Sequence, residues 1–504
     1  VTVPDAPRAD IALPEATVDV VVVGAGPAGV AAAVAAVRAG ARVVLLDSGP
    51  RAGGQYWRQG PSGLGPYHHN HAGWTTLADG LAEHTAEGRL EHRADHQVWR
   101  VDPLPEAGSH AARRPPSAVV HAVTTTSDGF ERPVTLAARA LVLATGAHDR
   151  VLPFPGWDLP GVLTPGAAQA MLKEHGVVAG SRVVVGGTGP FLLPVAAGLA
   201  QAGARVVALV EAGDGSGWLR GWRAVARCAD RVGEGAGYAR TLVRHRVVPR
   251  LRTAVIAAHG DDRVRSVTIA RLDPQWRPLR RTARRLRCDA VAVGWGFTAR
   301  TDLALQAGAR PAVGPDGGPA VDADDWGRTA AAGILVAGEL TGIGGAELAE
   351  LEGRLAGAAA ARYATSTASW TATPPAAEPA LARRRQRLTA FAAALHTAHP
   401  LHPGWVDWLD EDTLVCRCEE VPLRRLHEAV DELGATDART AKLLTRCGMG
   451  WCQGRICGEP VSRLIAARRG DPASAVPELT NRPVAAPITL GALIAGGPPS
   501  TTPP

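Results

Sequence analysis

The chain has no run approaching the roughly 18 apolar residues that a membrane-spanning helix needs, although 46% of its 504 residues are hydrophobic. No helical membrane span of its own is expected. Residues 1–17 carry Pro4, Pro7 and Pro14 and lack an apolar core, so they read as a flexible N-terminus without a secretory signal. Cysteine is scarce outside one place: five of the seven fall within 42 residues, and the first 400 residues hold no Cys-x-x-Cys. An odd, clustered set excludes a disulfide framework and points to a metal site in a reducing compartment, so a cytoplasmic location is expected. Cys228 and Cys288 stand alone and read as packing residues. Concentrated charge is also missing. The net charge of +6 is thinly spread, and the Arg-rich runs 280–287 and 383–387 read as solvated faces or partner contacts, so no nucleic acid partner is expected. No Ser-His-Asp set or carboxylate pair stands out, and no catalytic residue for substrate chemistry is assigned. His68, His69 and His71, between Gly65 and Gly73, read as a solvated loop.

What is present begins with a strand–turn–helix–strand unit over residues 18–47. Its turn, Gly24-Ala25-Gly26-Pro27-Ala28-Gly29, fits G-x-G-x-x-G, and Asp47 follows 23 residues after Gly24. In such a turn Gly24 makes the bend, Gly26 lets the backbone approach a pyrophosphate, and Gly29 lets helix and strand pack closely. The helix N-terminus offers unpaired N–H groups to phosphates, and Asp47 is placed for ribose hydroxyls. An adenine dinucleotide is therefore expected here. A second copy spans residues 181–211, with Gly187, Gly189 and, at the strand end, Glu211. Leu192 replaces its third glycine and should push helix and strand apart. If this unit binds a nicotinamide cofactor, Glu211 favours NAD over NADP; the alternative is a retained fold without a ligand. A third unit over 333–362 runs from a short apolar strand to Gly338-Glu339, a loop with Gly342, Gly344 and Gly345, and a helix from Ala346.

The remaining cysteines form the pattern Cys416-x-Cys418, 33 residues, then Cys452 and Cys457. Thiolates suit an iron–sulfur cluster or zinc. Cys447 is an extra thiol beside this set, either a bystander or a substitute ligand.

Gly53-Gly54-Gln55, the strand end Ala144-Thr145-Gly146 and the return through Gly338-Glu339 resemble the two-dinucleotide-binding flavoproteins of the pyridine nucleotide-disulfide oxidoreductase type, over roughly residues 18–365. That resemblance implies an α/β chain with two Rossmann-like domains, one inserted in the other. The FAD-binding domain would comprise 18–155 and 290–365, and the NAD(P)-binding-like domain 156–289. It implies FAD contacts at Gly54, Gln55, Thr145 and Gly146, backbone groups of Val98 at the adenine, and Glu339 at the ribityl position, where the family usually has Asp. It also places the helix N-terminus at Gly345-Ala346 near the flavin. After a linker and helical segment, 366–410, residues 411–470 resemble the small α-rich bacterioferritin-associated-ferredoxin-like module. Four cysteines, 416, 418, 452 and 457, would hold its [2Fe–2S] cluster. A tail, 471–504, follows. Cys416-Arg417-Cys418-Glu419-Glu420-Val421 and Gly448-Met449-Gly450, with Pro153-Phe154-Pro155-Gly156-Trp157, match the α subunits of opine oxidases, hydrogen cyanide synthase and dye-linked proline or hydroxyproline dehydrogenases. This implies one subunit of an FAD- and [2Fe–2S]-dependent oxidoreductase acting on C–N bonds. Its expected partners are an FAD-containing, glycine- or sarcosine-oxidase-like β subunit, together with a small ferredoxin-like γ subunit, through which the complex could associate with a membrane. The other readings are a self-sufficient NADH:acceptor oxidoreductase, with NAD(H) at the second turn, and a non-catalytic electron-transfer or scaffold protein holding another adenine nucleotide.

Overall fold

A computed structural model describes residues 17–68, 70–105, 114–126, 128–366, 369–372, 379–471 and 484–495, without the side chains of 229–232. Residues 1–16 of the expected flexible segment 1–17, His69 and most of the tail lie outside the described residues, and Thr17 itself opens the first strand.

The first sheet is built on Thr17–Val23, whose Val20, Val21 and Val22 are fully buried. It pairs in parallel with Val43–Leu46 on one side and with the end of the long strand Glu131–Leu143 on the other. Leu90–Arg93 extends one edge, and Ile334–Val336 pairs in parallel with Leu141 to Leu143 at the other. A strand covered on both faces reads as a continuous apolar run, which is why these segments are Val- and Leu-rich without alternation. The first half of Glu131–Leu143 turns instead into an antiparallel meander with Ala118–Thr125 and His96–Pro103.

Two helices cover one face of this sheet in unusually close contact. A Cβ on Gly353 would stand 2.0 Å from the Ala28 carbonyl oxygen, and one on Gly357 would stand 2.1 Å from that of Ala32. The late helix Ala346–Thr365 can therefore lie on the early helix Pro27–Arg38 only because those positions lack side chains. This contact holds the C-terminal return of the chain against the first glycine turn.

The second sheet, unlike the first, is parallel throughout. Arg182–Gly187 lies between Arg205–Glu211 and Ala290–Gly294, and the short strands Pro249–Arg250 and Val162–Leu163 form its edges. A three-stranded antiparallel sheet, Thr253–His259, Ser266–Arg271 and Arg284–Arg287, packs beside it. Its last strand is largely exposed, so the first Arg-rich run is a charged sheet edge. The chain passes between the two sheets through a paired connector, Ala147–Asp149 against Phe297–Ala299.

The cysteine module is a small hairpin, Leu414–Cys416 with Val421–Pro422, and three helices, Leu423–Asp431, Ala438–Thr445 and Gly458–Arg469. A tryptophan seam joins its core to that of the second sheet. Trp157 Nε1 donates to the Leu414 carbonyl (2.6 Å), and Trp408 Nε1 to that of Trp276 (2.8 Å). The described part of the tail returns to the meander, where Ala485 N donates to the Trp99 carbonyl (2.7 Å). Among the described residues no helix is long and apolar enough to cross a membrane.

Candidate functional site

The three glycines of the first turn do different work. Cβ atoms on Gly24 and Gly29 would stand 2.4 Å from the Ala144 carbonyl oxygen and 1.6 Å from the Gly24 carbonyl oxygen, so both are demanded by packing. A Cβ on Gly26 would meet only the Gly54 Cα, at 3.9 Å, leaving that face open to the cavity. Gly54, at φ +59°, supports this approach, since a Cβ there would stand 2.7 Å from the Gly26 Cα. The helix behind the turn has Pro27 in its first turn, no side-chain cap and no acidic residue near its start, so its positive end is available to an anion. Asp47 accepts from the backbone N–H groups of Ala25 and Gly49. A carboxylate offers about four acceptor positions, so capacity for ribose hydroxyls is left.

From this turn a cavity of about 1860 Å³ runs past Pro27, Ala28, Gly54, Gln55, Val98, Thr145, Gly146, Gly338, Glu339, Gly345 and Ala346. Val98 sits beside a bulge in its strand, and its carbonyl accepts from Gln97 Nε2 (3.0 Å). Thr145 donates its hydroxyl to the Arg300 carbonyl (2.7 Å), so this side chain braces the wall. Gln55 accepts from Arg58 (2.7 Å). Gly338 N donates to buried Glu352 (3.1 Å). Glu339 is committed to its own loop: its two oxygens accept from Gly344 N (2.7 Å) and Gly345 N (3.1 Å). Burial pushes its carboxyl up to about 7 against those two donors. The longer Glu side chain thus fixes the glycine loop that leads to Ala346, the start of the late helix.

The cysteine module forms the far wall. Cys452, Arg455 and Ile456 line the same cavity as the first turn. The sulfurs of Cys416, Cys447 and Cys457 lie within 4.8 Å of one another, while Cys452 engages both Cys457 and Cys418. Gly448 N approaches Cys416 Sγ at 3.5 Å. The four expected ligands are therefore brought together with Cys447 added, a soft donor set that fits an iron–sulfur cluster. Neighbouring Cys447 and Cys457 hold the Cys416 thiol far below its ordinary value. Cys418 faces solvent.

Polar contacts that sequence alone did not lead one to expect fasten this module to the flavin side. His148, two residues after Gly146, donates from Nε2 to the Arg455 carbonyl (3.0 Å). Buried Arg150 reaches Glu459 with Nε (2.9 Å) and Asp316 with Nη2 (2.6 Å). Arg455 also lies 3.5 Å from Asp302. The partners are some 150 to 310 positions apart in the chain, and no local pattern marks them.

The second turn is built differently. A Cβ on Gly187 would lie 1.7 Å from the Gly294 carbonyl oxygen, a packing demand, whereas Gly189 is open. The Gly189 N–H, however, donates to Glu211 (2.9 Å), which also accepts from Thr188 Oγ1 (2.7 Å) and Gly213 N (2.8 Å). His399 Nδ1 stands 3.8 Å from the same carboxylate. Burial disfavours the charge on Glu211, but His399 and the donors outweigh it and hold the carboxyl below its ordinary value. Trp218 packs edge-on against His399 (5.4 Å). The linker helix Pro379–Ala398 presses on Gly217 and Gly221, where added Cβ atoms would stand 2.5 Å from Ala398 and Ala394. Leu192 is buried, and the helix starts there, three residues after Gly189, instead of directly after the turn as at Pro27.

Of the lesser expectations, Cys228 and Cys288 are buried, as packing residues should be. His68 is not solvated: it is buried, with Nε2 on the Arg58 carbonyl, and burial lowers its pKa. His71 opens the helix His71–Ala86.

Comparison with known proteins agrees with this geometry. Residues 414–467 match the BFD-like [2Fe-2S] binding domain. An opine oxidase chain of Agrobacterium tumefaciens is 35% identical over 469 residues, 89% of this chain and 86% of that one. The hydrogen cyanide synthase chain HcnB of Pseudomonas aeruginosa is 31% identical, over 87% of this chain and 90% of that one. L-proline dehydrogenase from P. horikoshii shares the fold, with a TM-score of 0.61 at 20% identity over 95% of this chain and 79% of that one. Residues 18–364 match the family described as pyridine nucleotide-disulphide oxidoreductase. The chain belongs to that family and is a flavin oxidoreductase with FAD and a C-terminal [2Fe–2S] module as its cofactors.

Proposed function

We propose that the chain is the electron-transferring subunit of a heteromeric dehydrogenase that oxidises a C–N bond of an amino acid, opine or amine. The oxidation takes place on a separate FAD-containing β subunit, with a small ferredoxin-like γ subunit as a further partner. The relatives named above as opine oxidase, hydrogen cyanide synthase and proline dehydrogenase support the substrate class. Free buried thiols suit the cytoplasm.

One observation carries the reading: the wall holding Cys452 and the wall holding Gly146 enclose one cavity. FAD accepts electrons in pairs and releases them singly, which is the chemistry needed beside a one-electron cluster. The chain's residues do the rest. Gly26 and Gly54 admit the pyrophosphate, Asp47 takes the ribose, and Glu339 orients the Gly344-Gly345 loop at the start of the late helix. Cys416, Cys418, Cys452 and Cys457 hold the cluster, and Arg150 clamps that module to the flavin wall.

The second turn supports input from a partner over input from NADH. Glu211 there accepts from Thr188 Oγ1 as well as from Gly189 N and Gly213 N, with His399 Nδ1 at 3.8 Å, so it keeps less acceptor capacity for a ribose than Asp47 does at the first turn. The test is anaerobic mixing of the chain alone with NADH, and of the reconstituted complex with proline, an opine and glycine. Reduction only in the complex, by one of the C–N substrates, supports the proposal. Bleaching of the flavin in the isolated chain by NADH within seconds overturns it.

A further inference from the structure

The cysteine module has a second, outward side. Cys452 lines the flavin cavity, but Cys418 is exposed. Next to Cys452 in the chain, Trp451 is 82% exposed, the most exposed large hydrophobic side chain among the described residues. A solvent-facing indole beside a metal loop is costly to hydration and is characteristic of contact surfaces. Its neighbour Gly450 lies directly on Cys418, since a Cβ there would stand 2.4 Å from the Cys418 Cβ. The helix Ala438–Thr445 leads straight into this loop, Met449 N donating to the Arg446 carbonyl (3.0 Å), and exposes Leu443 (69%) and Leu444.

The rim of this apolar centre is positive. The hairpin and the helix carry Arg417, Arg439, Lys442 and Arg446 against Glu419, Glu420 and the helix cap Asp437, and Glu419 is already bonded to Arg446 (2.8 Å). A small apolar centre with a basic rim matches the transient, steered class of interface, which lies at the small end of the size range. A permanent subunit contact would need a larger apolar area.

We infer that Trp451 and the basic rim around Cys418 form the exit surface of the chain, and that they dock an acidic single-electron carrier protein. The inference rests on the electron-transfer reading above. The transfer moves one electron: the iron–sulfur module is oxidised by one, the carrier is reduced by one, and no bond forms or breaks. The cavity side of the module thereby serves for input and the Trp451 side for output.

The experiment uses the full chain with its cofactors, reduced anaerobically, and two probes: plastocyanin, an acidic copper protein, and mitochondrial cytochrome c, a basic haem protein. Plastocyanin should be reduced faster at low salt, with a rate that falls steeply as salt rises. Trp451→Ala and Lys442→Glu should each slow it by roughly tenfold, with the visible and EPR spectra of the chain unchanged. Carbodiimide should cross-link Lys442 to plastocyanin in the wild type. A preference for cytochrome c, or unchanged rates in both variants, overturns the inference. A chain whose iron–sulfur module cannot be reduced at all overturns the underlying reading instead.

Discussion

The His148 imidazole donates to the main-chain carbonyl of Arg455 at 3.0 Å, across more than 300 positions of sequence. His148 belongs to the connector strand that leaves the flavin wall, and Arg455 lies between two cluster cysteines. The bond joins the two walls side chain to backbone and contributes about 1 kcal/mol to holding them together.

The ion pairs beside it should be the stronger fastening. Arg150→Ala would leave Asp316 as a buried carboxylate without its cation and Glu459 with Arg463 alone, at a cost of about 3 kcal/mol. A thermal melt should show the loss, and limited proteolysis should release the cysteine module first. A melt unchanged from wild type would mean that the tryptophan seam and the Arg455 contacts suffice to hold the module.

Two glycines of the first turn should behave oppositely. Gly29→Ala places a Cβ 1.6 Å from a carbonyl oxygen and should prevent folding of the first unit. Gly26→Val has room and an ordinary φ of -77°, so it should fold and melt near the wild type but purify without flavin. Flavin-to-protein ratios together with circular dichroism separate the two effects.

Glu352 gives a signed pH effect. Burial raises its carboxyl from 4.5 to about 7, with Thr341 as the leading opposing donor. The folded state therefore binds a proton more readily than the unfolded chain. The stability this contributes is complete below about pH 4.5 and is lost as pH rises through about 7. Glu352→Gln keeps an acceptor for Thr341 and Gly338 and removes the titration. Between those limits the wild type should lose stability relative to the variant, read as melting temperature against pH.

Glu211 has the opposite sign. Its carboxyl is held below the ordinary value, so its contribution is present at neutral pH and is lost as pH falls through the folded value. Glu211→Gln takes the acceptor from the half-buried N–H of Gly189, worth about 1 kcal/mol at pH 7. Denaturant melts at pH 7 and at pH 3 should show a gap between the two proteins that closes in acid.

Much of this site could be read from the chain alone. The first turn, Asp47 and the four cysteines are marked by local spacing, because a glycine turn and a thiolate set each need a fixed pattern of residue types, whereas the Thr145-Gly146 strand end comes from the family resemblance. What could not be read is how the parts meet. Arg150, Glu459 and Asp316 find each other only after both sheets and the module have folded, and single charges on a chain with 54 basic and 48 acidic residues give no warning. Glu339 lines the cavity, yet its carboxylate is taken up by the N–H groups of Gly344 and Gly345, a local choice that depends on loop geometry. The capping of the second turn by His399 likewise depends on where the linker helix lies. The Leu192 substitution is the one hint that this turn differs from the first, and the helix begins at that residue.

Whether flavin and cluster work in one cavity of one chain is decided by an anaerobic reductive titration of the purified full-length protein, followed by absorbance and EPR. Uptake of about three reducing equivalents per chain is expected, two by the flavin and one by the cluster, with electrons equilibrating between the two centres within the mixing time. Uptake of only one equivalent with no flavin present, or two centres that do not exchange electrons, would contradict it.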